Sequence, residues 1–186
     1  MLTVIHGPMF AGKSTRLVSL ARANLIAGRD VVGFKPSNDK RRLGDSIITH
    51  DEIEFPAFVI NKDKPQECFN KIRAAQHKVD VLMFDETQFF AKEPMEALVK
   101  RMVCNWGYDV IMAGLSMDSE GRPFGAMPYL LAVADEIITL KAVCTKCKSI
   151  NMATRTFRTD GSTEQVAVGG AEMYEPRCFT CWEEEL

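Results

Sequence analysis

The sequence predicts an α/β fold built on a parallel sheet, with a small metal-binding unit appended at its C-terminal end. Three observations predict it. Apolar runs of strand length alternate with amphipathic helical stretches along the first three-quarters of the chain. Such alternation implies parallel βαβ units, with helices covering both faces of the sheet. The first run feeds "GPMFAGKST", residues 7–15, which carries the glycine, four residues, then Gly-Lys-Ser of a phosphate-binding loop. From residue 141 the composition turns to cysteines, turn residues and a Gly-Gly pair. The expected division is therefore 1–140 for the α/β domain and 141–186 for the small unit.

The elements follow in order. "LTVI" reads as a buried strand ending just before His6 and Gly7. After Lys13, apolar Leu17, Leu20, Ala21, Leu25 and Ile26 recur at helical spacing until Gly28 supplies a stop. "DVVGFKP" reads as a second strand, ended by Pro36. Residues 37–52 are polar and charged with no helical stripe, and are expected to form a mobile loop. "FPAFVI" reads as a short strand, and "PQECFNKIRAAQHK" as a helix with proline at its first position. "VDVLMFDE" is a strand ending in two carboxylates. "PMEALVKRMVCNWG" is a helix closed by Gly107, and "YDVIMAGL" and "EIITL" are two further strands. Cys68 and Cys104 fall within helices and are expected to be buried as small apolar residues.

Ligands on such a sheet bind beyond the carboxyl ends of its strands. Gly7, Pro8, Met9, Phe10, Ala11, Gly12, Lys13, Ser14 and Thr15 lie at one such end. Glycine at the first and sixth of these lets the chain turn sharply and lets backbone N–H groups approach phosphate oxygens. Lys13 is placed to reach the β- and γ-phosphates of ATP, and the Ser14 hydroxyl to ligate Mg²⁺. Phosphoryl transfer needs a second protein ligand on the metal, a carboxylate from a neighbouring strand end, and Asp85 answers that need. Glu86 beside it is a candidate base, for water in an ATPase or for a substrate hydroxyl in a kinase.

Cys144-x-x-Cys147 and Cys178-x-x-Cys181 are two knuckles separated by thirty residues. Four thiolates so paired suit tetrahedral Zn²⁺ with no open position, a structural site. An iron–sulfur cluster and reduced surface thiols are the alternatives.

Composition bounds the function. The chain has 186 residues, 46% apolar and 26% charged, with a net charge of −2. That balance argues against a dedicated nucleic-acid binder, which shows a basic excess. The N-terminal "MLTVIHG" lacks the pattern of a signal peptide, and no apolar window is long enough to span a membrane. A soluble cytoplasmic protein is expected.

"GPMFAGKST", "FDETQFF", "KAVCTKC" and "VGGAEMYEPRC", in this order, resemble the zinc-containing class of thymidine kinases, over residues 3–181. The resemblance implies a RecA-like α/β domain with a zinc-held lasso and commonly a tetramer. It implies an enzyme that uses ATP and Mg²⁺ to phosphorylate the 5′-hydroxyl of thymidine or deoxyuridine. On this resemblance Glu86 is the catalytic base and Asp85 the magnesium-side carboxylate. Gln88 and Phe89 fall at the substrate site, and the segment with Asp51 approaches the nucleotide phosphates. The lasso corresponds to Val166, Ala167, Val168, Gly169 and Tyr174, gripping the base largely through backbone groups. Zinc anchors the lasso without touching substrate. The chain departs from the family pattern at Ser116 and Ser119, where an aspartate and a base-pocket phenylalanine are usual; Asp118 and Arg122–Gly125 stay in step. The competing reading is a zinc-ribbon P-loop ATPase acting on nucleic acid; a catalytically dead binding module is opposed by the intact Lys13, Ser14, Asp85 and Glu86.

Overall fold

A computed structural model describes residues 1–37, 45–49, 51–74, 78–165 and 171–184. In chain order it forms β1 (Leu2–His6), α1 (Lys13–Ile26), β2 (Val31–Pro36), β3 (Ser46–Ile48), β4 (Glu54–Ile60), α2 (Cys68–Ala74) and β5 (Val81–Phe84). There follow α3 (Lys92–Lys100), β6 (Asp109–Gly114), α4 (Met127–Val133), β7 (Glu136–Thr139), β8 (Arg155–Arg158), β9 (Tyr174–Arg177) and α5 (Phe179–Glu183). The main sheet has the order β3-β4-β2-β5-β6-β1-β7. Its pairings are parallel except for β3 with β4.

The α/β layering follows from the sequence pattern of the strands. β5 reads Val-Leu-Met-Phe, apolar at every position, because both faces of a parallel sheet are covered. Successive side chains point to opposite faces. Leu82 and Phe84 join Met95, Leu98 and Val99 of α3 and Leu130 of α4 on one face. Val81 and Met83 join Leu17, Val18 and Ala21 of α1 on the other. Each such side chain, fully buried, contributes about 1.5–3 kcal/mol of transfer free energy.

Two expectations need correction. Within residues 37–52, Ser46–Ile48 forms the edge strand β3; residues 38–44 and 50 of that expected loop lie outside the described residues. Three residues are too few to show alternation, and the strand exists because Ile47 pairs with Phe55 and is buried against the α1 face of the sheet. Cys68 is buried as expected, but Cys104 is exposed. The buried stripe of the α3 region is Met95, Leu98, Val99 and Met102. At about 3.6 residues per turn, Cys104 lies half a turn round from Met95. It sits on a π-helical turn, Arg101–Asn105, that extends α3.

Beyond β7 the chain forms a second, two-stranded sheet. Ala142 bridges Ala153, and β8 and β9 pair antiparallel with Thr156 opposite Pro176. Its buried centre is Ala142, Cys144, Ala153 and Cys181, with Ala11 and Cys178 packed against it. Two alanines and two cysteines are too little apolar surface to hold such a unit alone, which is the situation a metal or another staple relieves.

Candidate active site and metal centre

The loop after β1 is shaped by two glycines for different reasons. Gly12 holds φ +79° as the N-cap of α1, and a Cβ there would meet no atom within 4 Å, so its backbone conformation is what demands glycine. At Gly7 a Cβ would collide with the Leu140 carbonyl oxygen at the end of β7. Between them Pro8 is buried, Met9, Ala11, Lys13, Ser14 and Thr15 are half-buried, and Phe10 is exposed. Lys13 Nζ donates to the Pro8 carbonyl at 2.7 Å, and the Met9 N–H donates to Thr156 Oγ1 at 3.0 Å. The first turn of α1 carries no acidic residue, so its positive end faces the loop uncompensated. Together these form a site suited to an anion.

β5 ends two strand positions from β1, with β6 between. Its following residue, Asp85, is buried, and Asp85 Oδ2 accepts from Ser14 Oγ at 2.8 Å. The Glu86 N–H donates to Asp85 Oδ1 at 3.0 Å. Burial first, then the charge of Glu86, pushes the Asp85 carboxyl up from the ordinary 3.8 to about 7, against the pull of Ser14 and Lys13. A hydroxyl and a carboxylate oxygen facing each other are the hard donors that Mg²⁺ takes, and a cation there would offset the cost of the buried charge.

Glu86 is half-buried and accepts from Gln88 Nε2 at 2.6 Å. Gln88 is buried, and its Oε1 accepts the Leu115 N–H at 3.0 Å. A backbone N–H can only donate, so it assigns the amide oxygen to that side and the NH₂ to Glu86. Phe10 and Glu86, one on each strand-end loop, hold φ of 63° and 50°. Non-glycine residues in this region cost of order 1–3 kcal/mol each and cluster at functional sites.

The remaining expected positions are spread wider. Phe89 is half-buried and meets the buried Phe124 edge to face, with centroids 5.5 Å apart. Ser119 is buried, and its carbonyl accepts from Trp182 Nε1 at 2.9 Å. Its neighbour Asp118 is a hub: it accepts from the Glu120 and Arg122 N–H groups, from Arg122 Nε and from Gln165 Nε2. Tyr174 opens β9 under the Arg158 guanidinium, 5.8 Å from its ring. Asp51 is exposed in the turn after Thr49. Val166, Ala167, Val168 and Gly169 lie outside the described residues. The Phe124 contact and the Thr156 bond had no local signal in the sequence, since their partners are distant in the chain; at Asp118 the bonds from Glu120 and Arg122 are local, and the one from Gln165 is distant.

The cysteines converge. The Sγ atoms of Cys144, Cys147, Cys178 and Cys181 all lie within 4.8 Å of one another, and Cys147 and Cys178 are 3.9 Å apart. Tetrahedral Zn²⁺ with bonds of about 2.3 Å sets its sulfurs roughly 3.8 Å apart, so the cluster fits zinc. Burial alone would raise the Cys144 thiol, but the backbone N–H groups of Cys147, Cys178 and Lys146, with the Cys147 thiol, outweigh it and bring it down to about 6. Backbone donors aimed at a sulfur stabilise the thiolate that a metal requires.

A phosphate-binding loop on a parallel sheet, with a carboxylate pair at the end of the strand next but one rather than at the adjacent strand expected from the sequence, defines a P-loop nucleotide-binding protein. Comparison with known proteins narrows the class. A family model described as thymidine kinase matches residues 1–182. A thymidine kinase from Pyrobaculum aerophilum is 40% identical over 184 residues, covering 96% of each chain. The chain belongs to the thymidine kinase family. Among the described residues no helix is long and apolar enough to cross a membrane.

Proposed function

We infer that this protein transfers the γ-phosphoryl group of ATP to the 5′-hydroxyl of thymidine, with deoxyuridine as a second acceptor. The observation that carries the reading is the cluster joining Ser14, Asp85, Glu86 and Gln88 across two strand ends, in a chain of this family. In this reading the loop from Gly7 to Thr15 cradles the phosphates, with Lys13 on the β- and γ-oxygens. Ser14 and Asp85 would hold Mg²⁺, which neutralises charge on the phosphates when bound. Glu86 takes the 5′-hydroxyl proton as the new O–P bond forms and ADP leaves with the electrons of the broken bond. Gln88 belongs to the same machinery, and Asp51 is proposed on the phosphate side.

Phe89, Ser119 and Tyr174, with the lasso residues Val166, Ala167, Val168 and Gly169, would form the nucleoside side. Closing a segment over the nucleoside excludes water and so limits hydrolysis of ATP. Structural Zn²⁺ on the four cysteines ties down the outgoing end of that segment. The product of this reaction is dTMP, and we propose pyrimidine salvage for DNA synthesis in the cytoplasm as the enzyme's role and, by family resemblance, a homotetramer as its assembly. The nucleic-acid-dependent ATPase reading is not favoured: the net charge is −2 and the family match spans the chain.

The test is ATP consumption with thymidine and, separately, with single-stranded DNA. Stoichiometric dTMP and ADP in the first assay are expected. Stimulation by DNA with no dTMP formed would overturn the reading.

A further inference from the structure

We propose that Thr156 is a positioning residue for the phosphate-binding loop: its hydroxyl fixes the peptide plane that holds Lys13. This rests on the reading that residues 7–15 bind the nucleotide phosphates. Thr156 is on β8, in the C-terminal unit, and is 4% exposed. Its Oγ1 accepts the Met9 N–H at 3.0 Å, across 147 residues of chain. The Met9 N–H and the Pro8 carbonyl are the two ends of one planar peptide group. The carbonyl end accepts Lys13 Nζ at 2.7 Å and the Ala11 N–H at 3.4 Å. One bond from Thr156 therefore sets the direction in which that carbonyl, and the lysine on it, can point.

The surrounding contacts make this bond a rigid one. The Leu140 N–H donates to the His6 carbonyl at 2.8 Å, and Gly7 lies against the Leu140 carbonyl oxygen, so the chain leaving β7 is seated beside the loop. Ala11 packs on the cluster of Ala142, Cys144, Ala153 and Cys181. Thr156 itself is paired with Pro176, two residues before Cys178, and the Pro176 carbonyl accepts the Thr145 N–H between Cys144 and Cys147. The four-cysteine unit and the phosphate loop thus share one packed junction. The unit reaches the nucleotide side of the site through this junction, as well as the nucleoside side.

Convergent N–H groups act on a phosphate only when held in place beforehand, because ordering them at the moment of binding weakens it. The test compares Thr156→Val, which keeps shape and removes the acceptor, with Thr156→Ser, which restores it. Hydrogen exchange of residues 7–13 and calorimetric binding of ADP are measured, along with KM for ATP and for thymidine and zinc content. Thr156→Val is expected to speed exchange at Met9, weaken ADP binding by roughly tenfold and raise KM for ATP in step. KM for thymidine should change less than about twofold, and Thr156→Ser should recover ADP binding to within about twofold. Unchanged exchange and ADP binding in Thr156→Val would overturn the proposal, as would equal loss of ADP and thymidine binding. If Thr156→Val does not fold, Thr156→Ser decides: near-normal ADP binding supports the proposal, and a loss as large as that of an alanine variant contradicts it. A Lys13→Ala control separates the two levels. If that variant binds ADP normally, the phosphate-loop reading itself fails; if it loses ADP while Thr156→Val does not, only the positioning role fails.

Discussion

Gln88 Nε2 donates to Glu86 Oε2 at 2.6 Å, while Gln88 Oε1 accepts the Leu115 N–H at 3.0 Å at the head of the loop after β6. The amide thereby pins the proposed base to a neighbouring strand end. Gln88→Glu would keep an acceptor for Leu115 but set a like charge beside Glu86. Like charge disfavours the ionised form, so the acidic limb of the kcat–pH profile should move to higher pH. Hydrogen bonds to charged groups are worth about 1.5–3 kcal/mol, which sets the expected fall in kcat near neutral pH at roughly 10–100-fold. An unmoved profile would show that Gln88 does not govern Glu86.

Asp85 gives a stability prediction with a defined sign. Its carboxyl is pushed up from 3.8 to about 7, mainly by burial. A carboxyl raised in the folded state costs stability wherever both states are ionised, and nothing where both are protonated. The cost is therefore full above about pH 7 and gone below about pH 4. Asp85→Asn, compared with the parent in EDTA without nucleotide, should melt higher at pH 8 by a few degrees, corresponding to about 1 kcal/mol or more. The gain should vanish toward pH 4, and phosphoryl transfer should be lost at every pH. A lower melting temperature at pH 8 would refute the argument.

Asp118 gathers Arg122 and Gln165 onto one buried carboxylate, and Arg122 also reaches the Thr163 carbonyl at 2.7 Å. These bonds hold the strand of chain leading toward Val166. Asp118→Ala should raise KM for thymidine by roughly tenfold with KM for ATP changed less, since hydrogen bonds to a charged group are worth about 1.5–3 kcal/mol and the half-exposed Arg122 can be resolvated when its partner is lost. Equal effects on both substrates would deny it a nucleoside-side role.

The contact of Ala11 with the cysteine cluster changes what metal loss should do. If the four cysteines hold zinc, Cys178→Ser should lower the zinc content and weaken thymidine and ADP binding together, while the seven-stranded sheet persists in circular dichroism. Loss of thymidine binding alone would mean that the junction does not transmit to the phosphate loop.

What the sequence made legible was local. Gly7 to Thr15, the Asp85–Glu86 pair and the two cysteine knuckles are short patterns visible in the sequence; in the structure Ser14 meets Asp85, the Glu86 N–H meets Asp85, and the four cysteine sulfurs lie together. β3, by contrast, is three residues that become a strand only by pairing with β4. α4 went unread because its seven residues, Met-Pro-Tyr-Leu-Leu-Ala-Val, are too few for a helical stripe to separate from a buried strand. Cys104 looked buried by residue type, yet its place around the helix sets it outside. The bond between Met9 and Thr156 spans most of the chain, and no spacing rule reports it.

The central claim is that Glu86 accepts the proton of the thymidine 5′-hydroxyl. Single-turnover phosphoryl transfer by Glu86→Gln, with ADP binding measured in parallel, tests it most directly. The substitution keeps size and removes the base. The account predicts near-normal ADP binding and a transfer rate lower by about 10²–10⁴-fold. A variant that retains more than about half of the parent rate, with chemistry limiting, would contradict it, because general-base removal costs far more than that.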